Sequence, residues 1–89
     1  MGLVKRLVVD VLKPHQPSSI EFSQAIARVG VDYKVRLTVV EMDEKTETLE
    51  VVIEGNDIDF AAIKSTISDM GGSLHSIDEV EVHSEADAG

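Results

Sequence analysis

The sequence predicts an α+β domain of the ferredoxin-like type, in which two helices pack on one face of an antiparallel sheet in the order β-α-β-β-α-β. Two observations indicate the strands of a central hairpin, because apolar and polar residues alternate over 31–39 and again over 48–54. A third observation indicates the helices, because apolar residues recur at helical spacing over 19–29 and 58–70. Together these patterns predict a two-layer sandwich.

The first strand and the first helix are joined by a proline-rich connection. Residues 3–12 form a valine-rich run of a length that is typical of a strand. The segment KPHQP that follows is held extended, since proline restrains its own backbone and that of the preceding residue. Ser18 and Glu21 have the spacing of a capping box, which predicts the start of the helix. We expect Gly30 to close it in the left-handed conformation.

A hairpin and a second helix come next along the chain. The polar stretch 43–46 predicts the turn of the hairpin. Gly55 and Asn56 provide a further turn, and Asp57 is a candidate cap for the second helix.

The last predicted strand spans 74–82, and its apolar pattern changes phase near Ser76, which indicates a bulge. Right-handed crossovers between strands favour the sheet order 4-1-3-2. We therefore predict a single domain over residues 1–83 and a disordered acidic tail over 84–89.

Composition limits the classes of partner. The 89 residues include no cysteine, which excludes disulfides and thiolate metal sites. Seventeen acidic and eight basic residues give a net charge of −9, which repels nucleic acids and anionic membranes. The chain opens without the apolar segment of a signal peptide, so we expect a cytoplasmic protein. The acidity suits a metal cation or a basic partner, although a solvated surface that keeps the protein soluble is the simpler interpretation.

One end of the predicted sheet collects two histidines. The proposed strand order makes the first and last strands neighbours, so His15 and His75 are expected to lie close together. With Asp10 and Asp43 they could bind a transition metal or transfer protons, whereas hydrogen-bonded structural histidines are the simpler interpretation. The predicted ligand-contacting residues at this end are Lys13, His15, His75 and Ser76.

The opposite end carries the oxygen ligands Asn56, Asp57 and Asp59, which are candidates for binding calcium or magnesium. Their spacing does not match a calcium-binding helix-loop-helix motif, and a carboxylate that caps a helix explains the same residues.

The sheet face away from the helices, here called the open face, is predicted to be unusually apolar. Asp10 and Arg36 share this face with five apolar side chains, and a patch of that size is typical of an interface between subunits. The predicted interface residues are Val8, Leu12, Val40, Met42 and Val52. The two edge strands could also pair between subunits.

Three segments of the sequence are similar to those of a known protein family. They are KPHQP after the first strand, TETLEVVIEGNDIDF at the third strand, and GGSLHSIDEV at the last strand. Together they resemble an archaeal family known as domain of unknown function 211. The resemblance covers residues 3–82 and implies a ferredoxin-like fold, self-association into an oligomer and an archaeal origin. It implies no activity, because the family is uncharacterised. Gln16 departs from the acidic residue that is usual in the family, which weakens a metal role for that loop.

Two functional hypotheses come from these observations. We predict a non-enzymatic regulatory or assembly module that forms a homo-oligomer and binds a small ligand, by analogy of fold. The alternative is a protein that binds a divalent cation, with or without hydrolytic activity. The sequence has no glycine-rich phosphate loop, nucleophile elbow or closely spaced pair of histidine ligands, so the expectation is against an enzyme without excluding one.

Overall fold

The computed structural model describes residues 2–84, which form four strands and two helices in the predicted order. The strands are β1 (Gly2–Pro14), β2 (Lys34–Met42), β3 (Thr46–Glu54) and β4 (Ser73–Ser84), and the helices are α1 (Ser19–Ala27) and α2 (Phe60–Asp69). The sheet order β2-β3-β1-β4 confirms the predicted order, and every pair of neighbouring strands is antiparallel. Of the predicted tail, Ser84 ends β4, and residues 85–89 lie outside the described residues.

The core lies between the helices and the sheet, and alternate residues of the two central strands fill it. In the register of β1 and β3, Val9 lies opposite Val51 and Val11 lies opposite Leu49, and all four side chains are fully buried. The helices cover them with four buried apolar side chains, which are Phe22, Ile26, Ile63 and Ile67. We call this side of the sheet the helix-covered face.

The predicted capping box of α1 is confirmed, because the Ser18 side chain accepts from the Glu21 amide and the Glu21 carboxylate accepts from the Ser18 amide. The helix ends two residues earlier than predicted, with Arg28 as its C-cap. Gly30 does not adopt the left-handed conformation, so that prediction was wrong. Glycine is needed there because a Cβ atom would collide with the ring of Tyr33.

The second strand begins at Lys34, three residues later than the alternation predicts. Val31 is fully exposed, because residues 28–32 form the turn that leaves α1. Tyr33 packs against the core, and its hydroxyl accepts a hydrogen bond from the Asp59 amide at 2.7 Å. Tertiary contacts at the helix exit therefore override the local period.

The second helix is capped by Asp59 instead of Asp57, since the Asp59 carboxylate accepts from the Ala62 amide at 3.1 Å. Ile58 stays outside the helix because its amide donates to the Val4 carbonyl at 2.8 Å and its side chain is buried. Gly71 follows the helix with a positive φ of 83°, which suits glycine.

Bulges in the strands change which face of the sheet several residues belong to. The predicted irregularity near Ser76 is confirmed, because the register of β4 against β1 shifts at Asp78 and at His75. A further shift at Val40 in β2 sets Met42 opposite Glu47. Glu47 belongs to the helix-covered face, so Met42 lies on that face and not on the open face as predicted.

Candidate functional site

The KPHQP connection folds over a buried lysine. Lys13 follows Val9 and Val11 at alternate positions of β1 and therefore projects into the helix-covered face, where it is fully buried. Its ammonium donates to the carbonyl oxygens of Pro14 at 2.8 Å and Pro17 at 2.7 Å, and it lies 3.2 Å from a Glu47 carboxylate oxygen. An ammonium has three donors, so these three partners satisfy it.

Glu47 and His15 complete what we call the rim cluster, made of Lys13, His15 and Glu47. The His15 Nδ1 atom lies 2.9 Å from the second oxygen of Glu47, and its Nε2 atom lies 3.0 Å from the carbonyl oxygens of both Asp43 and Glu44. Only the protonated imidazolium can donate from both nitrogens. The cluster therefore ties the connection after β1 to the hairpin between β2 and β3.

Hydrogen bonding shifts the pKa values of His15 and Glu47. The hydrogen bond to Glu47, followed by that to the Glu44 carbonyl, raises the pKa of His15 above its usual value. The hydrogen bond from His15 lowers the pKa of Glu47, with Lys13 adding to the effect against the opposing cost of burial. Both shifts favour the charged forms, so protonation of His15 places a second cation on the carboxylate that the Lys13 ammonium already contacts.

Sequence reasoning chose Lys13 and His15 but missed Glu47. The signal was present, because Glu47 continues the alternation of Leu49, Val51 and Ile53 and so belongs to the buried side of β3. The structure gives the Lys13 ammonium internal partners, and its contact with a ligand stays a prediction.

The predicted meeting of the two histidines does not occur. His15 turns toward β3 and the hairpin, whereas His75 lies on β4, on the other side of β1. His75 is exposed at a bulge, and the Ser76 hydroxyl donates to Asp78 at 2.8 Å. Across residues 2–84, histidine, aspartate and glutamate form no group of three that could hold a metal ion.

At the opposite end, two of the three predicted oxygen ligands have partners within the chain. The Asn56 side-chain oxygen accepts from the Lys5 ammonium at 2.6 Å, and Asp59 caps α2. Asp57 is exposed in the turn between them. Cation binding at this end stays a prediction.

The open face is more charged and less apolar than the sequence predicts. Val8, Leu12 and Val52 lie on it as predicted, and Val8 is only 8% exposed, whereas Val40 is the extra residue of the bulge in β2 and has no partner in the register. Arg6 crosses the strands beside them and donates to Glu79 at 2.7 Å and to Glu54 at 2.8 Å.

A depression of about 140 Å³ lies on this face, lined by Arg6, Lys34, Arg36, Val52 and Glu54. We call it the cationic depression. Within residues 2–84, Arg6 pairs with carboxylates, while Lys34 and Arg36 make no ion pair. Three of the eight basic residues of an acidic chain meet here. Sequence reasoning missed the site because Arg6 joins the other two only through the order of the strands.

Exposed apolar side chains lie mainly on the two edge strands. Among residues 2–84, six of the eight exposed large hydrophobic side chains belong to β2 or β4. They are Val39, Val40 and Met42 on β2, and Ile77, Val80 and Val82 on β4.

Comparison with known proteins shows the family of the chain. The sequence model of one protein family, domain of unknown function 211, matches residues 5–85. This family is described as uncharacterised ArCR. The chain belongs to this family. It is also similar to an uncharacterised protein of the archaeon Methanocaldococcus jannaschii, MJ0319, with 41% identity over 80 residues that cover 90% of this chain and 82% of the relative.

The family is uncharacterised, so membership in domain of unknown function 211 confirms the resemblance without adding an activity. Neither helix within residues 2–84 has the length and apolar character that crossing a membrane requires.

Proposed function

We propose that this member of the family is a non-enzymatic assembly module that works as a homo-oligomer joined through the edges of its sheet. The observation that carries the proposal is the position of the exposed apolar side chains on both edge strands. An edge strand also presents unpaired backbone N–H and C=O groups, which can hydrogen-bond to another strand. Apolar surface and backbone groups therefore favour association at the same two places.

The edges are long enough for pairing. β2 has nine residues and β4 has twelve, whereas strands of five or six residues are typical of globular proteins. Val40 is 64% exposed on the first edge and Val80 is 51% exposed on the second. Burying these side chains against another copy would remove apolar area from water, which is the main favourable term in association.

In this proposal Val40 and Met42 keep the interface role that the sequence predicted, and they act from the edge strand β2. The same role for Val8, Leu12 and Val52 stays a prediction. Val8 has little surface left for an interface, because it is already largely buried within the single chain.

Sedimentation analysis of the purified chain tests the proposal. We expect an oligomeric mass for the wild type and a shift toward the monomer for Val40→Lys and for Val80→Lys, because each places a charge on an apolar edge. Ile20→Lys is the matched control, since Ile20 is 71% exposed on α1 and belongs to neither edge strand. A monomeric wild type, or an equal effect of all three substitutions, would contradict the proposal.

A further inference from the structure

On the open face, residues that lie opposite one another on the four strands form a row across the sheet. Along one such row the charges alternate in sign. Lys34 lies opposite Glu54, Glu54 lies opposite Arg6, and Arg6 lies opposite Glu81. The signs from β2 to β4 are therefore positive, negative, positive and negative. The row begins at a cationic edge and ends at an anionic edge.

The next row of the open face ends in the same way. Arg36 lies opposite Val52, Val52 opposite Val8, and Val8 opposite Glu79. Two neighbouring rows thus have a basic residue at the β2 edge and a glutamate at the β4 edge. Cross-strand neighbours of opposite charge stabilise a sheet and those of like charge destabilise it, so the two edges are complementary to each other.

The direction of the strands suits this complementarity. The pairs β2 with β3, β3 with β1 and β1 with β4 are all antiparallel, so β4 runs opposite to β2. A second copy that continues the sheet beside β4 with its own β2 therefore forms another antiparallel pair. Its open face then stays on the same side as that of the first copy.

We propose that the β4 edge of one copy pairs with the β2 edge of the next, with Glu81 opposite Lys34 and Glu79 opposite Arg36 of the second copy. The inference rests on the proposed self-assembly and adds the partner edge, the direction and the register. The carboxylates of β4 are then the groups that face the cationic depression of the neighbouring copy.

The same register brings apolar side chains together on the helix-covered face. Val35 occupies the row of Val80, and Leu37 occupies the row of Ile77 because the bulge residue Asp78 is skipped, as it is in the pairing of β4 with β1. Val80 and Ile77 are half-exposed in the single chain, and each would gain an apolar neighbour from the second copy. Both faces of the sheet thus support one register.

Glu79 remains able to accept a second cation. Arg6 donates to one of its carboxylate oxygens, and a carboxylate accepts about four hydrogen bonds through its two oxygens. Pairing of two like edges would instead set cation against cation or carboxylate against carboxylate. The contact is therefore between different surfaces of the two copies, which produces a closed ring or an open chain and not a two-fold dimer.

Charge reversal in the valine-containing row tests the register. Arg36 and Glu79 are separated by Val52 and Val8 within one copy, and Arg36 has no ion-pair partner within residues 2–84, so Arg36→Glu breaks no ion pair of that described part. Glu79→Lys also removes the ion pair of Glu79 with Arg6, so the rescue by the opposite reversal, and not the loss alone, identifies the contact between copies. We expect Arg36→Glu alone and Glu79→Lys alone to weaken assembly about tenfold or more, as judged by sedimentation across a range of protein concentrations.

Rescue separates the proposed pairing from a general effect of charge. An equimolar mixture of the two variants should restore assembly, because each edge again meets the opposite charge where the two variants alternate. A chain with both substitutions should assemble by itself. Lys64→Glu and Asp69→Lys are the controls, since they change the net charge equally at exposed positions of α2 and should leave assembly unchanged.

Each other outcome is informative. A monomeric wild type would overturn both proposals. An oligomer that keeps its mass in both reversed variants would overturn the register alone, and one that responds only to Glu79→Lys without rescue would show pairing of two β4 edges. Stabilisation of the wild type by inorganic phosphate, lost in Arg36→Glu at unchanged mass, would show that the cationic depression holds a small anion and not a second copy.

Discussion

The rim cluster and the cationic depression both combine basic side chains with a glutamate, yet they differ in whether their basic side chains are buried and paired within the chain. In the rim cluster, the Lys13 ammonium is buried and both it and the His15 ring have acceptors within the chain. In the depression, Lys34 and Arg36 are exposed and make no ion pair within residues 2–84. The fold therefore uses the first set of charges for its own stability and leaves the second set available to another molecule.

Burial decides which of these two roles a charge has. A buried ion needs partners because it has lost its hydration, whereas an exposed ion keeps water and gains little from a single partner. The comparison predicts large effects on stability at the rim cluster and small ones at the depression, where the effect should instead be on assembly.

The largest effect is expected for Glu47→Gln. This substitution leaves the Lys13 ammonium buried without its counter-charge, and removing one partner of a buried ion pair costs about 3 kcal/mol or more. Urea unfolding at one protein concentration measures the loss. Glu50→Gln is the control, because Glu50 lies on the same strand but is exposed, and we expect a change below about 0.5 kcal/mol.

Removing both charges sharpens the same test. Lys13→Met combined with Glu47→Leu should recover part of the stability that Glu47→Gln loses, because no unpaired charge then remains in the core, although the Pro14 and Pro17 carbonyls lose their donor. Equal losses for Glu47→Gln and Glu50→Gln would show that the buried pair is not a special source of stability.

A smaller effect should depend on pH. The pKa of His15 is raised in the folded chain, so its contribution to stability is fully present below its ordinary pKa of 6.5 and is lost as the pH rises through the folded value. The pKa of Glu47 is lowered, so its contribution is present above its ordinary value of 4.5 and is lost as the pH falls through the folded value. The cluster therefore stabilises most between these two ordinary values.

Thermal unfolding of the wild type and of His15→Gln across this range and into alkaline pH checks the prediction. The difference in melting temperature between the two chains should shrink as the pH rises through the folded pKa of His15. His75→Gln is the matched control, because it makes the same change at an exposed position of β4. A constant difference at all pH values would contradict the assigned charge of His15.

The smallest effect on stability is expected at the cationic depression. Combining Lys34→Gln with Arg36→Gln should change the unfolding free energy of the monomer by less than about 0.5 kcal/mol, since both side chains are exposed. Denaturant unfolding under conditions where the wild type is monomeric measures this change in unfolding free energy. A loss comparable with that of Glu47→Gln would show that the depression is part of the stable fold.

The sequence predicted the order of elements and the strand order because both depend on patterns that repeat within one element. The period of two identified β3, and the helical period identified α1 and α2. The less accurate boundaries are those where a distant group competes with the local pattern. Ile58 bonds to Val4 and so remains outside α2, and Val31 lies in the turn after α1.

The candidate site was predicted less completely than the fold, because its contacts join residues that are distant in sequence. The alternation in β1 and β3 was sufficient to place Lys13 and Glu47 on the buried side, although only the register shows that they are partners. The bulge at Val40 moves Met42 to the helix-covered face, and a bulge in an exposed edge leaves no clear mark on the apolar pattern.

The sequence by itself determined the fold class, the acidic charge and the family, since these follow from composition, local period and motifs. Only the tertiary structure decided that His15 turns to Glu47 and away from His75, and that Arg6 meets Lys34 and Arg36 in one depression. These outcomes depend on which strands are neighbours and in what register. Hydrogen bonds and ion pairs act over a few ångströms, so they join residues that the sequence keeps far apart.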